Sequence, residues 1–109
     1  MDLHAYMRMF AAAEKDTGVI VGWEDTLLPA IVEKRVLVHE VQGEGLGFLF
    51  FNKVIEPDTH NNVWIERMLW VSPEARSCGI AKKLVAHWEE AARLEGVHSL
   101  SAGSSLGYA

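Results

Sequence analysis

Apolar residues along this chain change their spacing three times, and each change marks a different kind of element. From Leu3 onward, Leu3, Tyr6, Met7, Phe10 and Ala11 recur at the three-four spacing of a single buried helical stripe. Asp2 stands where a helix cap belongs, able to accept from an otherwise unpaired first-turn amide, and Gly18 supplies an exit. A second helix is expected from Asp25, with Leu27, Leu28, Ile31 and Val32 facing inward. Pro29 falls in its first turn, where a missing N–H does little harm.

At Val36 the period shortens. Val36-Leu37-Val38-His39-Glu40-Val41 is short and rich in β-branched residues, and Gln42-Gly43-Glu44-Gly45 follows as a turn, so a hairpin is expected. Its second arm, Leu46 to Val54, carries Phe48, Phe50 and Phe51, which predicts cover on both faces. Pro57 to Asn62 reads as a polar loop, and Val63 to Val71 as a third strand stopped by Ser72-Pro73. The period then lengthens. Ile80 to Glu95 is the clearest helix, with Ile80, Leu84, Trp88 and Ala91 inside, Lys82, Lys83, Glu89, Glu90 and Arg93 outside, and Gly96 as a left-handed exit. Glu89 and Arg93 have the favourable i,i+4 order, worth ~0.2–0.5 kcal/mol. Val97 to Ala102 reads as a short last strand and Gly103 to Gly107 as loop. Two helices, three strands, a helix and a strand amount to an α/β fold, a mixed sheet flanked by helices.

Composition narrows the functional classes. At 109 residues the chain supports one modest core, so a single domain over 1–109 is expected. No apolar run approaches the ~20 residues needed to cross a bilayer, and no membrane role is expected. A net charge of −5 disfavours nucleic acid as a partner. Met1-Asp2-Leu3-His4 lacks the basic and apolar pattern of a secretory signal, and Cys78 is the single cysteine, which together fit a cytoplasmic, reducing compartment. His4, His39, His60, His87 and His98 show no ligand spacing, so no metal is expected. Trp23, Trp64, Trp70 and Trp88 read as core residues, with Trp64 or Trp70 as alternative walls of an acceptor pocket.

The chemistry concentrates in Val71-Ser72-Pro73-Glu74-Ala75-Arg76-Ser77-Cys78-Gly79-Ile80-Ala81, between the third strand and the strongest helix. First-turn amides of a helix lack internal partners and sit at the positive end of its dipole, so they suit a pyrophosphate. Gly79 allows close backbone approach, Arg76 adds a charge-assisted contact, and Lys82 and Lys83 reach phosphate oxygens from the first turns. The same loop also reads as a plain strand-to-helix connection whose glycine serves the turn. Ile80 and Leu84 are read as core, and Cys78 as a small tolerated thiol near the phosphates.

Arg76-x-x-Gly79-x-Ala81, after a strand ending in Val-x-Pro-Glu and before an amphipathic helix, resembles the R/Q-x-x-G-x-G/A signature of the GNAT N-acetyltransferases. The resemblance runs from about Val36 to Ala102. It implies acetyl-coenzyme A as cosubstrate, with Leu69, Val71, Arg76, Ser77, Cys78, Gly79, Ile80, Ala81 and Lys82 at its binding site. It also implies a splayed strand pair, Val63 to Val71 against the strand near Leu100, with the pantetheine arm in the gap. Direct transfer to an amine acceptor follows, with Glu66, the one acidic residue inside that strand, as the group removing the amine proton through water. Strand alternation predicts Glu66 on the face of Trp64, Met68 and Trp70 unless a bulge intervenes. Glu66 reads equally as a solvated or ion-paired residue beside Arg67. The family's usual C-terminal helix and strands are expected to be missing, and Tyr108 follows the last strand too closely to serve as the tyrosine acid. A second copy or a protein partner would then cover the last strand. Two functions stay open: an N-acetyltransferase, or a catalytically degenerate, inhibitor-like domain that binds coenzyme A or a protein.

Overall fold

Asp2 caps the first helix as the sequence predicts, its carboxylate accepting from the Ala5 amide at 2.8 Å. This helix, α1, runs Leu3–Thr17 and closes on Gly18 at φ 75, whose amide donates to the Glu14 carbonyl at 2.8 Å. The computed structural model describes residues 1–102; the stretch from Gly103 to Ala109, including Tyr108, lies outside the described residues. The buried line of α1 is Ala5, Met9, Phe10 and Ala13, whereas Leu3 and Met7 are 51% and 46% exposed. The inner face is therefore turned from the expected stripe. Ala5 and Ala13 are small enough to let the helix sit close on the sheet, and apolar spacing alone weighs them too lightly.

The second helical element differs more. Trp23–Leu27 is a widened turn in which Leu27 donates to the Gly22 carbonyl at 3.0 Å and Leu28 to that of Trp23. It runs directly into α2, Leu28–Val32. Pro29 has no N–H to close an ordinary turn on Asp25, and i→i+5 bonding immediately before it is one way to accommodate that loss. Leu27 and Ala30 face inward, but Val32, expected inside, is 73% exposed at the free end of this short helix.

Four strands follow: β1, Val36–Val41; β2, Glu44–Ile55; β3, Asn62–Val71; and β4, Ser99–Ser101. They lie in the order β1-β2-β3-β4, the first two contacts antiparallel and the last parallel. The hairpin turn is tighter than expected, just Gln42-Gly43, with φ 52 and 81 in the left-handed region that two-residue hairpins need. Helix α3, Ile80–Leu94, crosses from β3 to β4, which is what makes that pair parallel. Gly96 ends the segment at φ 70.

Both sheet faces are covered, as the aromatic run of β2 predicts. Phe48, Phe50, Met68 and Trp70 pack with Met9 and Phe10 under α1. Leu49, Phe51, Trp64, Leu69 and Val71 pack with Ile80, Leu84 and Trp88 under α3. The inner line of α3 ends on Ala92, with Ala91 only half-buried, and Arg93 forks onto Glu90 at 2.5 and 2.9 Å instead of meeting Glu89. Among the described residues no helix is long and apolar enough to cross a membrane.

One correction bears directly on function. Phe50 pairs with Met68 but Phe51 pairs with Glu66, so Arg67 is an extra residue in β3. That bulge inverts the alternation. Trp64 goes to the α3 side while Met68 and Trp70 go to the α1 side, and Glu66 stands opposite Phe51 of the α3 side. Glu66 therefore does not share a face with Met68 and Trp70.

The phase of α1 can be tested by stability. Met9→Ala should cost about 2–4 kcal/mol in urea unfolding, as for a buried methionine, and Met7→Ala about 0.5 kcal/mol or less. A larger loss for Met7→Ala than for Met9→Ala would mean that the helix presents the face expected from spacing alone.

Candidate functional site

The chain leaves β3 at Val71, makes one 3₁₀ turn over Pro73–Ala75, and reaches α3 through Arg76–Gly79. The 3₁₀ turn is held by the Ala75 amide on the Ser72 carbonyl at 2.9 Å. Hydrogen bonds from the Ser72 hydroxyl and its own backbone keep the Glu74 carboxyl below its ordinary range.

Two residues of the loop have left-handed backbones, Ser77 at φ 72 and Gly79 at φ 78. Glycine takes this conformation freely; serine does so at a cost, and strain of this kind collects at functional sites. Gly79 is the residue before α3, and no side chain caps the helix. The first helical amide to find an acceptor is that of Lys83, on the Gly79 carbonyl at 3.1 Å. Among the described residues the amides from Ser77 to Lys82 have no acceptor. They line up at the positive end of a 15-residue helix.

Beside these amides is an open recess of about 450 Å³, bounded by Val71, Arg76, Ser77, Gly79, Ala81 and Lys82. Ile80 also borders it but is 5% exposed and packs chiefly with the α3 core. Cys78 is exposed on the loop and does not border the recess. Lys82 and Lys83 are exposed, and neither is in an ion pair among the described residues.

The edge of β3 completes the site. Among the described residues β4 pairs with β3 at Val63, Trp64 and Ile65, and from Arg67 to Val71 no described strand lies along this edge. The Ser72 amide donates to the Leu46 carbonyl of β2 at 2.8 Å. Alternation then turns the peptide groups of Trp70 toward β2 and those of Leu69 and Val71 toward the open edge. Leu69 itself is 2% exposed, so only its backbone is available there. Glu66, 4% exposed, lies just beyond the last β3–β4 pair. Trp64 and Trp70, at 3% and 1% exposed, are core residues, and Trp64 also borders an open recess with Lys53, Asn62 and Glu95, away from the loop.

Arg76 reaches in two directions. Its Nε donates to the Val71 carbonyl at 3.0 Å and its Nη2 to Asp16 at 2.5 Å. The same Asp16 oxygen accepts from the Trp70 indole at 3.0 Å. Thus the last turn of α1 is tied through one carboxylate to the end of β3 and to the loop. Three of the five N–H groups of Arg76 remain for other acceptors. Asp16 and the Trp70 indole have no part in the sequence reading. Asp16 stands 60 residues from Arg76, and only the stacking of α1 on the sheet brings them together.

A family model described as "Acetyltransferase (GNAT) family" matches residues 3–106. Among solved structures, a ribosomal-protein-alanine N-acetyltransferase from Brucella melitensis biovar Abortus 2308 is 23% identical, with a TM-score of 0.60 over 70% of this chain. An aminoglycoside acetyltransferase from an uncultured soil metagenomic sample, in complex with trehalose, is 16% identical, with a TM-score of 0.73 over 92% of this chain and 67% of its own. AAC(6')-Iy in complex with the bisubstrate analogue CoA-S-monomethyl-acetylneamine is 19% identical, with a TM-score of 0.55 over 64% of this chain and 50% of its own. This chain spans 56% of the Brucella protein. A search of curated protein sequences found no match.

The Asp16 junction has a signature in pH. Hydrogen bonds from Trp70 and then Arg76 hold this carboxyl below its ordinary value of 3.8. Its charge therefore stabilises the folded chain fully above that value, and the contribution drains away as pH falls through the lowered one. Asp16→Asn should lower Tm at pH 7, with the gap to the unmodified chain narrowing as pH falls below 3.8. A gap that stays constant from pH 7 to pH 3 would show that the charge on Asp16 does not hold the junction.

Proposed function

Because the chain belongs to the acetyltransferase (GNAT) family, we propose that it moves an acetyl group from acetyl-coenzyme A directly onto an amine, holding the pyrophosphate on Arg76–Ala81. The observation that carries this reading is the run of amides at the start of α3 with no acceptor among the described residues, beside a strand edge along which no described strand lies. The residues present fit the cosubstrate. A Cβ built at Gly79 meets no atom within 4 Å, so the backbone there is bare toward open space. A diphosphate would satisfy several of these amides at once, in a place where the helix dipole already favours negative charge. A structural relative that holds a coenzyme A bisubstrate analogue adds support from the fold.

When bound, acetyl-coenzyme A supplies the thioester acyl group. The transfer forms one C–N bond, breaks one C–S bond and moves one proton from nitrogen to sulphur. The Leu69 and Val71 peptide groups orient the pantetheine amides along the open edge, with Arg76 sharing the Val71 carbonyl. Arg76 acts mainly as a strut: with Asp16 already against its guanidinium, it offers phosphate its remaining N–H groups and only part of its charge. Lys82, in no ion pair among the described residues, adds positive charge at the rim. Glu66, one residue past the last described pair with β4, takes the amine proton through water, and water returns one to sulphur.

Gly79 separates a phosphate loop from an ordinary turn. Gly79→Val should weaken coenzyme A binding at least about tenfold in calorimetry, as charge-assisted bonds are lost, and cost about 1–3 kcal/mol of stability from its positive φ. Glu66→Gln should keep coenzyme A affinity and lower turnover of an accepted amine by about 10²–10⁴. Unchanged affinity in folded Gly79→Val would remove the phosphate-loop assignment. Binding without any turnover in the unmodified chain would favour the degenerate, coenzyme-binding alternative.

A further inference from the structure

A second cavity lies on the other side of the sheet. It is a chamber of about 150 Å³ beneath α1, floored by Phe48, Phe50 and Met68 and walled by Phe10 and Trp23. A cavity of this size holds a single benzene ring. Its mouth includes Ala11, an exposed position of α1. One acidic side chain, Glu14, borders it, and Glu14 has no ion pair among the described residues.

These walls select by chemistry. A sugar or a peptide backbone placed here would lose water and find almost no hydrogen-bonding partner, at a cost of several kcal/mol per buried group. A carboxylic acid would meet Glu14, and the net charge of −5 opposes it further. An ammonium gains twice, from the carboxylate and from the faces of aromatic rings. We propose that this chamber binds a small amine with an apolar, ring-sized body, the ring against Phe10, Phe48 and Met68 and the ammonium toward Glu14.

The chamber also lies close to the open strand edge. Met68 immediately precedes Leu69, whose peptide group faces that edge, and one residue of strand spans only ~3.3 Å. An amine seated on Met68 is thus within reach of the edge from the α1 side. That this amine is the acetyl acceptor rests on the acetyl-transfer reading; its binding in the chamber does not.

The test uses the whole chain without coenzyme A, titrated with 2-phenylethylamine, 2-phenylethanol and glucosamine and followed by the NMR signals of the Met68 methyl and the Trp23 indole. The expected result is saturable shifts with 2-phenylethylamine, affinity about two- to fivefold weaker for 2-phenylethanol or in Glu14→Gln, and no shifts with glucosamine. Ala11→Trp, at an exposed helical position, should block the mouth and abolish the shifts. Absence of saturable shifts with millimolar 2-phenylethylamine overturns the proposal, as does equal binding of glucosamine or undiminished binding in folded Ala11→Trp. Glu14→Gln checks the charge contact separately, and unchanged amine affinity there overturns the role given to Glu14. Since the readout is binding of the amine alone, failure here leaves the coenzyme A loop untouched, and failure of acetyl transfer leaves the chamber untouched.

Discussion

One extra residue, Arg67, governs how β3 serves two cores. A regular strand would put Trp64 and Trp70 on the same face, crowding two indoles under one layer of helices and leaving the other layer short of volume. The bulge divides them. Trp64 fills the α3 side against Phe51, with ring centroids 4.7 Å apart, and Trp70 fills the α1 side against Phe48 at 5.9 Å. Two consequences follow from that division. Trp70 can turn its indole N–H to Asp16, and Leu69 and Val71 can bury their side chains under α3 while their peptide groups face the open edge. The bulge lies just past the last described pair with β4.

Past Ile65 the β3 edge has no strand beside it among the described residues, and an unpaired edge would ordinarily be a liability. Here it adjoins a helix start whose amides are also unpartnered, so one extended ligand with a charged end can satisfy both sets. A long pantetheine arm ending in a diphosphate has that shape. Asp16 supports the arrangement from outside. By accepting from both Trp70 and Arg76 it fixes the end of β3 and the loop to the same turn of α1, and it offsets part of the positive charge that the loop would otherwise show. Lys82 and the amides are then the least compensated positive groups facing the recess.

The two cavities divide the chemistry by polarity. The recess at α3 sets Arg76, Ser77 and Lys82 among small and aliphatic side chains, whereas the chamber under α1 is lined mainly by aromatic, aliphatic and sulphur-bearing ones. The sheet separates them except along the open part of β3, which neither layer of helices closes among the described residues.

The sequence by itself determined the elements with local causes. The Asp2 cap, the Gly18 and Gly96 exits, the strand pattern from Val36 and the amphipathic run from Ile80 each depend on neighbours a few residues away, and all appear in the structure. The glycine turn into α3 was legible for the same reason, since Gly79 and the helix it precedes are neighbours in sequence. Tertiary structure decided what depends on distant partners. Which side of α1 is buried, the outward turn of Val32, the face of Glu66 and the meeting of Asp16 with Trp70 and Arg76 all follow from how layers stack. A period of 3.6 or 2 says that one face is apolar, but not where a bulge inverts it or which carboxylate 60 residues away will find the arginine.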